Sequence, residues 1–289
     1  MSFEFFVGLR YLKAKRKQTF ISLITFISIG GITLGVMALI IVLAVMSGFG
    51  DNLRDKILGT YSHVLVNSYS KDGIRDYPAL IEKIKREEHV LGAAPFIISQ
   101  VMLSYKGHVS GVVIRGIDPK LEQTVTDIEK NLIDGKVEFL ESTDSVIPKK
   151  TPETGQIKRD GIIVGKELAE HLRVSLDSVI NVISPLGKMT PVGMTPRVKK
   201  FRVVGIFDSG MYEYDSSLAF ISIKSGQKFF KMGDSVTGVE VKVDDIYMAR
   251  ETAEKLQERL GLPYYTRDWM RMNKNLFSAL KMEKIAMFI

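Results

Sequence analysis

The residue types that perform chemistry occur in this chain, but not at the spacings that chemistry requires. The four histidines, His63, His89, His108 and His171, show no metal-ligand spacing, and no His-Glu-x-x-His pair is present. Gly165-Lys166 is followed by Glu167 and Gly187-Lys188 by Met189, so neither supplies the hydroxyl that a phosphate loop offers to magnesium. There is no cysteine nucleophile and no Gly-x-Ser-x-Gly elbow. The adjacent carboxylates Asp244-Asp245 and Glu87-Glu88 are expected to be solvated surface. No catalytic residue, no metal ligand and no cofactor is therefore expected, and no enzyme acting by itself.

One segment carries a different chemistry, that of recognition. Ser184-Pro-Leu-Gly-Lys-Met-Thr-Pro-Val-Gly-Met-Thr-Pro196 repeats Met-Thr-Pro. Pro185, Pro191 and Pro196, with Gly187 and Gly193, are expected to prevent regular pairing and to favour an extended, semi-rigid backbone. Leu186, Met189, Val192 and Met194 would then stand on a preorganised projection. Such a projection binds a partner with little loss of entropy, and methionine adapts to varied surfaces. The plain alternative is a long hairpin loop.

The elements that must carry this projection follow from charge and apolar patterning. The chain of 289 residues has a formal charge of +7, of which +4 lies in residues 1–50 and +3 in 271–289. The middle of the chain is neutral, which argues against a nucleic-acid partner. No charge appears across the 33 positions from Gln18 to Gly50. A hydrocarbon core ~30 Å thick needs ~20 apolar residues, so this run predicts a membrane-spanning helix. It is about twice as long as the ~7–15 apolar residues of a cleaved leader.

Arg10, Lys13, Lys15, Arg16 and Lys17 precede the run, which places the N-terminus on the cytoplasmic side and residue 51 onward outside. Phe3, Phe5, Phe6, Leu9, Tyr11 and Leu12 around Arg10 and Lys13 suggest a short interfacial helix or a basic flank with aromatic anchors. Gly30, Gly31 and Gly35 suggest close approach of another helix, or simple tolerance of glycine in lipid.

Residues 51–270 alternate strand and helix patterns. Strands are expected at 63–67, 96–105, 109–117, 161–164, 179–184, 201–207, 217–223, 236–243 and 264–266. Helices are expected at 78–88, 119–132, 166–172 and 246–260, the last stopped by Gly261. Residues 141–160, rich in Ser, Thr, Pro and Lys, read as a loop. The opening and the closing of the region each give strand, helix, strand. The expected fold class is α+β: split βαβ halves (51–119 with 236–270, membrane-proximal) around an inserted subdomain (120–235), carried on the helix at 20–50. Residues 1–19 form the basic interfacial segment, and 271–289 lead into a second membrane helix.

Several motifs resemble the LolC/LolE family of ABC transporter permease subunits. They are Gly8-Leu-Arg-Tyr11, Gly31-Ile-Thr-Leu-Gly-Val-Met-Ala-Leu39, Val45-Met-Ser-Gly-Phe49, Ile57-Leu-Gly59 and Arg115-Gly-Ile-Asp-Pro119. Gly161-Ile-Ile-Val-Gly165, Val204-Gly-Ile-Phe207, Asp268-Trp269 and Lys281-Met-Glu-Lys284 continue the series in order along the chain. The resemblance implies a Gram-negative inner-membrane subunit that releases lipoproteins. It implies a cytoplasmic LolD-like ATPase, a second permease copy or LolE-like paralogue, a periplasmic LolA-like carrier, the lipoprotein and the lipid bilayer as partners. The family pattern continues with three further membrane helices beyond Lys284, so the chain is expected to be a truncated copy or fragment.

The resemblance also implies roles for particular residues. Pro185, Leu186, Met189, Pro191, Val192, Met194 and Pro196 fit a carrier-gripping hook. A polar pad beside it falls at Asn181, Val198 and Lys199, with only Lys199 keeping basic character. Val42, Val45, Met46 and Phe49 match positions that border the lipoprotein acyl chains. A related permease for another cargo, or a passive membrane-anchored binding module, are the competing expectations.

Overall fold

Helix α1 spans Phe3–Lys13 and α2 spans Thr19–Thr60 in the computed structural model of the chain. The structure describes residues 3–13, 19–60, 62–141, 159–190, 193–275, 278, 282 and 285. The expected loop at 141–160 therefore lies almost wholly outside the described residues. The chain divides into two units, Met1–Leu53 with Met282–Ile289, and Arg54–Lys281. In the first unit, Leu23–Gly48 is the apolar part of α2. Its 26 residues rise about 39 Å at 1.5 Å each, more than a bilayer core requires.

The second unit is built on two interlocked split βαβ motifs. Strand β1 (Val64–Ser68), helix α3 (Tyr77–Ile84) and strand β2 (Val90–Tyr105) form one. Strand β9 (Gly238–Val243), helix α8 (Ala249–Leu260) and strand β10 (Tyr264–Asp268) form the other. The strands lie in the order β10-β1-β9-β2, with β1 antiparallel to both β10 and β9, and β9 antiparallel to β2. Each motif therefore inserts a strand of the other between its own parallel pair. One face buries Val64, Val66, Val239 and Val241 against Leu80, Ile81 and Ile84 of α3 and Ala253 and Leu256 of α8.

Between β2 and β9 the chain builds a second structure. Strand β3 (His108–Ile117) returns from β2 through a tight turn. After α4 (Pro119–Glu122) and β4 (Leu132–Gly135) come β5 (Gly161–Gly165), α5 (Lys166–Leu172), β6 (Val179–Thr190) and β7 (Gly193–Phe207). They are followed by α6 (Tyr212–Ser217), β8 (Leu218–Ser222) and α7 (Ile223–Phe230). Pairings run β2-β3-β8-β5-β7-β6 and back to β2, so six strands close a barrel. Each strand supplies two interior side chains: Val101 and Leu103, Val112 and Ile114, Ala219 and Ile221, Ile162 and Val164, Phe201 and Val203, Ile180 and Val182. The long strand β2 belongs to both structures, its first half to the open sheet and its second to the barrel.

Three sequence expectations change. The helix expected over 119–132 ends at Glu122, because Asp118 caps only one turn and Thr124 and Thr126 turn their hydroxyls back on the backbone. The helix expected from Ile246 opens as a single 3-10 turn, Ile246–Met248, capped by Asp245. The third concerns the proline-rich segment and bears on the site.

Candidate functional site

The segment expected to resist pairing is a β-hairpin arm. β6 and β7 pair without interruption from Val179↔Arg202 to Ser184↔Arg197 and again from Lys188↔Thr195 to Thr190↔Gly193. Only Pro185, Leu186 and Gly187, opposite the single Pro196, break the register. The physical reason is positional: proline lacks the N–H for a ladder bond, and both prolines fall together at one bulge, so their cost is paid once. Gly187 makes that bulge possible. A Cβ there would lie 1.6 Å from the carbonyl oxygen of Thr195, which only glycine avoids.

Pro185 and Pro196 are exposed at the base of the arm. Leu186, Met189 and Met194 have their backbones placed in the hairpin, with Met189 opposite Met194, while their side chains lie outside the described residues. Pro191 and Val192 lie outside the described residues altogether.

Strand alternation decides the three pad positions. Ile180 and Val182 point into the barrel, so Asn181 and Ile183 face out, and across the ladder Val198 and Lys200 face out with them. Lys199 lies on the opposite face. Its Nζ pairs with Asp160 and sits 5.2 Å from the centre of the Phe201 ring. Burial pushes the Asp160 carboxyl up, but hydrogen bonds from Lys199 and Ser225 outweigh it and hold the group below the usual carboxylate range. The structure thus brings Asn181 and Val198 together and separates Lys199 from them.

Residues missed in the sequence complete the outer face. Met102 of β2 lies opposite Ile183, which lies opposite Val198, so three apolar side chains form one row across three strands. Val198 is 57% and Met102 46% exposed. Val109 and Ile98 extend this apolar surface on β3 and β2. Lys200, opposite Asn181, is its exposed cation. The alternation was in the sequence, but the partners across the ladder were not.

The other candidates are dispersed. Val42 and Val45 are exposed along α2, Met46 is partly covered, and the Phe49 side chain lies outside the described residues. His63 is buried, and its Nδ1 accepts the Val243 N–H at 3.3 Å. His89 meets Asp244 at 3.0 Å, and Glu87 takes Arg259 at 2.7 Å, so these expected surface carboxylates are engaged.

The family model of the MacB-like periplasmic core domain matches residues 25–259. The chain is 36% identical over all 289 residues to "Lipoprotein-releasing system transmembrane protein LolC" of Neisseria meningitidis serogroup B, spanning 66% of that protein. It is 40% identical over 98% of its length to the LolC so described from Xylella fastidiosa, spanning 64% of it. The chain thus spans slightly less than two thirds of these relatives. Among solved structures it is similar to the extracellular domain of the noncanonic ABC-type transporter YknZ from Gram-positive bacteria, at 12% identity and a TM-score of 0.45. That likeness covers 71% of this chain and 99% of the other. With four fifths of its length matched by one family model and its sequence similar to LolC from end to end, the chain belongs to the MacB-like periplasmic core domain family, in its LolC/LolE branch.

Proposed function

We propose that this chain serves in an ABC transporter that extracts lipoproteins from the inner membrane and passes them to a soluble periplasmic carrier. End-to-end similarity to proteins described as LolC carries this reading. Exposing an acyl chain to water costs ~0.8 kcal/mol per CH₂, so release requires an energy source and an apolar receiver. The chain offers no nucleotide-binding loop of its own in the sequence, and a LolD-like ATPase would supply the energy. A second permease copy or a LolE-like paralogue would complete the membrane part. The basic N-terminal flank supports a cytoplasmic N-terminus with residues 51–270 periplasmic.

The hairpin arm supports the carrier role. A two-stranded ribbon joined by ladder bonds, with two prolines at its bulge, has little conformational freedom left to lose on binding. At its root, Val198, Ile183 and Met102 offer a dry row and Lys200 a cation, a combination suited to a carrier with an apolar mouth and an acidic rim. The open sheet of β10-β1-β9-β2 would be the membrane-proximal subdomain and the barrel the inserted one, which moves the expected boundary from residue 119 back into β2, since β3 pairs within the barrel. Val42, Val45, Met46 and Phe49 would receive acyl chains. Photocrosslinking residues placed at Met189, Val192 and Val198 in cells test the reading. Adducts with a lipoprotein carrier from all three positions support it; adducts from none, with the protein in the membrane, overturn it.

A further inference from the structure

Two carboxylates and one guanidinium are enclosed together, away from the hairpin. The side chains of Arg115 on β3, Glu122 at the end of α4 and Glu240 on β9 are 1%, 1% and 3% exposed. Ala94 pairs with Glu240 and Ile98 with Arg115, so both charged residues share one face of β2 from its two flanking strands. Arg115 reaches across β2, and its Nη2 donates to Glu240 Oε1. The same nitrogen lies 3.7 Å from Glu122 Oε1, which also accepts from the Thr126 hydroxyl at 3.0 Å. Residues 118–128 lie over this face, with Thr124 so close that a Cβ on Gly92 would meet its oxygens at 2.6 Å.

With both carboxylates ionised, the cluster would hold one excess negative charge where no solvent reaches. A buried excess charge is relieved by taking up a proton. Among the described residues no second cation contacts the carboxylates: Asp118 adds negative charge from the N-terminus of α4, and β2 presents the apolar Ala94, Phe96 and Ile98. β8 contributes the Phe220 ring beneath the Arg115 guanidinium, and Glu138 of the neighbouring turn is engaged with Gln123 at the surface. Lys242, further along β9, acts on His63.

We propose that Arg115, Glu122 and Glu240 form a proton-holding joint between barrel, sheet and the covering segment 118–128, seated while one carboxyl carries a proton and loosened when that proton leaves. Glu122 is the holder, because Glu240 has the direct bond to Arg115. Burial first, and then the Glu240 charge, push the Glu122 carboxyl up to about 8 against the pull of Arg115. Unfolded, the same carboxyl titrates near 4.5. The folded state therefore binds the extra proton between these values, and the joint's stabilisation, complete below the lower one, falls away as pH rises towards the upper.

The test uses the full chain in lipid nanodiscs. Infrared spectra should show the C=O stretch of a protonated, buried carboxylic acid at neutral pH, lost with a midpoint near 8 and absent from Glu122→Gln. Hydrogen exchange at the amides of Glu122, Thr124, Val125 and Thr126, normalised to intrinsic rates, should quicken roughly tenfold across the same midpoint and stay slow in Glu122→Gln. No protonated carboxyl at neutral pH in the unsubstituted chain, or a band that survives Glu122→Gln, overturns the proposal. The unsubstituted titration decides by itself should the variant not fold.

Discussion

The backbone N–H of Trp269 donates to the carbonyl of His63 at 2.9 Å. Trp269 opens the exit helix α9 (Trp269–Met272), and His63 directly precedes β1. One bond therefore joins the entry and the exit of the sheet-and-barrel unit. His63 is held further by its own N–H to Val241 O at 3.1 Å, and Trp269 by its indole N–H to Ile246 O at 2.9 Å. The two connections leave from one hydrogen-bonded point.

Acidification should weaken that point. Burial, and then the Lys242 charge, hold the His63 imidazole below its ordinary value of 6.5, so it stays neutral in the folded state. The unfolded chain binds the proton first, and stability falls as pH drops through 6.5 towards the folded value. Protonation of Nδ1 would also cancel the Val243 bond, a loss of about 1 kcal/mol. Urea unfolding followed through the single tryptophan, Trp269, should show this decline. His63→Asn, whose side-chain oxygen replaces Nδ1 as acceptor, should flatten it.

Gly187→Ala should unsettle the arm and spare the barrel. The added methyl collides with the Thr195 carbonyl, so the bulge must open and the pairs beyond Lys188 lose register. Exchange of amides 188–190 and 193–195 should quicken at least about tenfold, while global unfolding stability changes by less than about 1 kcal/mol. Carrier crosslinking from Met189 should fall with it. Unchanged exchange in the arm would contradict the close approach.

Lys199 and Lys200 should separate cleanly. Lys199→Ala leaves the half-buried Asp160 without its cation and should cost stability, about 0.5–1 kcal/mol, with little effect on carrier capture. Lys200→Glu leaves the fold unchanged and should weaken capture about tenfold by inverting the charge beside Val198. Thermal unfolding and carrier pull-down of both variants check the pair. Equal loss of capture from both would return Lys199 to the binding face.

On α2, photocrosslinkers at Val42, Val45, Met46 and Phe49 should give at least about threefold more lipoprotein adduct than those at Ile41 and Leu43. Spacings of three and four place the first set on one helical face. Uniform labelling around the helix would mean that the face meets lipid alone.

The sequence by itself determined the elements whose cause is local or lies in one stretch of chain. The uncharged run from Gln18 to Gly50 indicated a helix long and apolar enough to cross a membrane, and Leu23–Gly48 is such a helix. Strand, helix and strand at both ends of residues 51–270 indicated two split βαβ halves, because apolar period and turn residues are written within each element, while their interlocking came only with the pairing. Pro119 at a helix start was equally plain. The family was legible too, since its motifs recur in order. What only the tertiary structure decided depends on partners distant in the chain. Closure of the barrel needs β6 to meet β2, with Val182 opposite Leu103, a pairing that no local pattern encodes. The proline-rich segment looked unpaired because proline's cost is local, whereas the ladder that absorbs Pro185 and Pro196 at one bulge is not. Lys199 carried the right charge for a pad, yet the register turned it towards Asp160 and left Lys200 outside. Arg115, Glu122 and Glu240 are ordinary charged residues in sequence, and their burial exists only because three elements converge on one face of β2. Charge and period are properties of the chain, but burial and register belong to the fold.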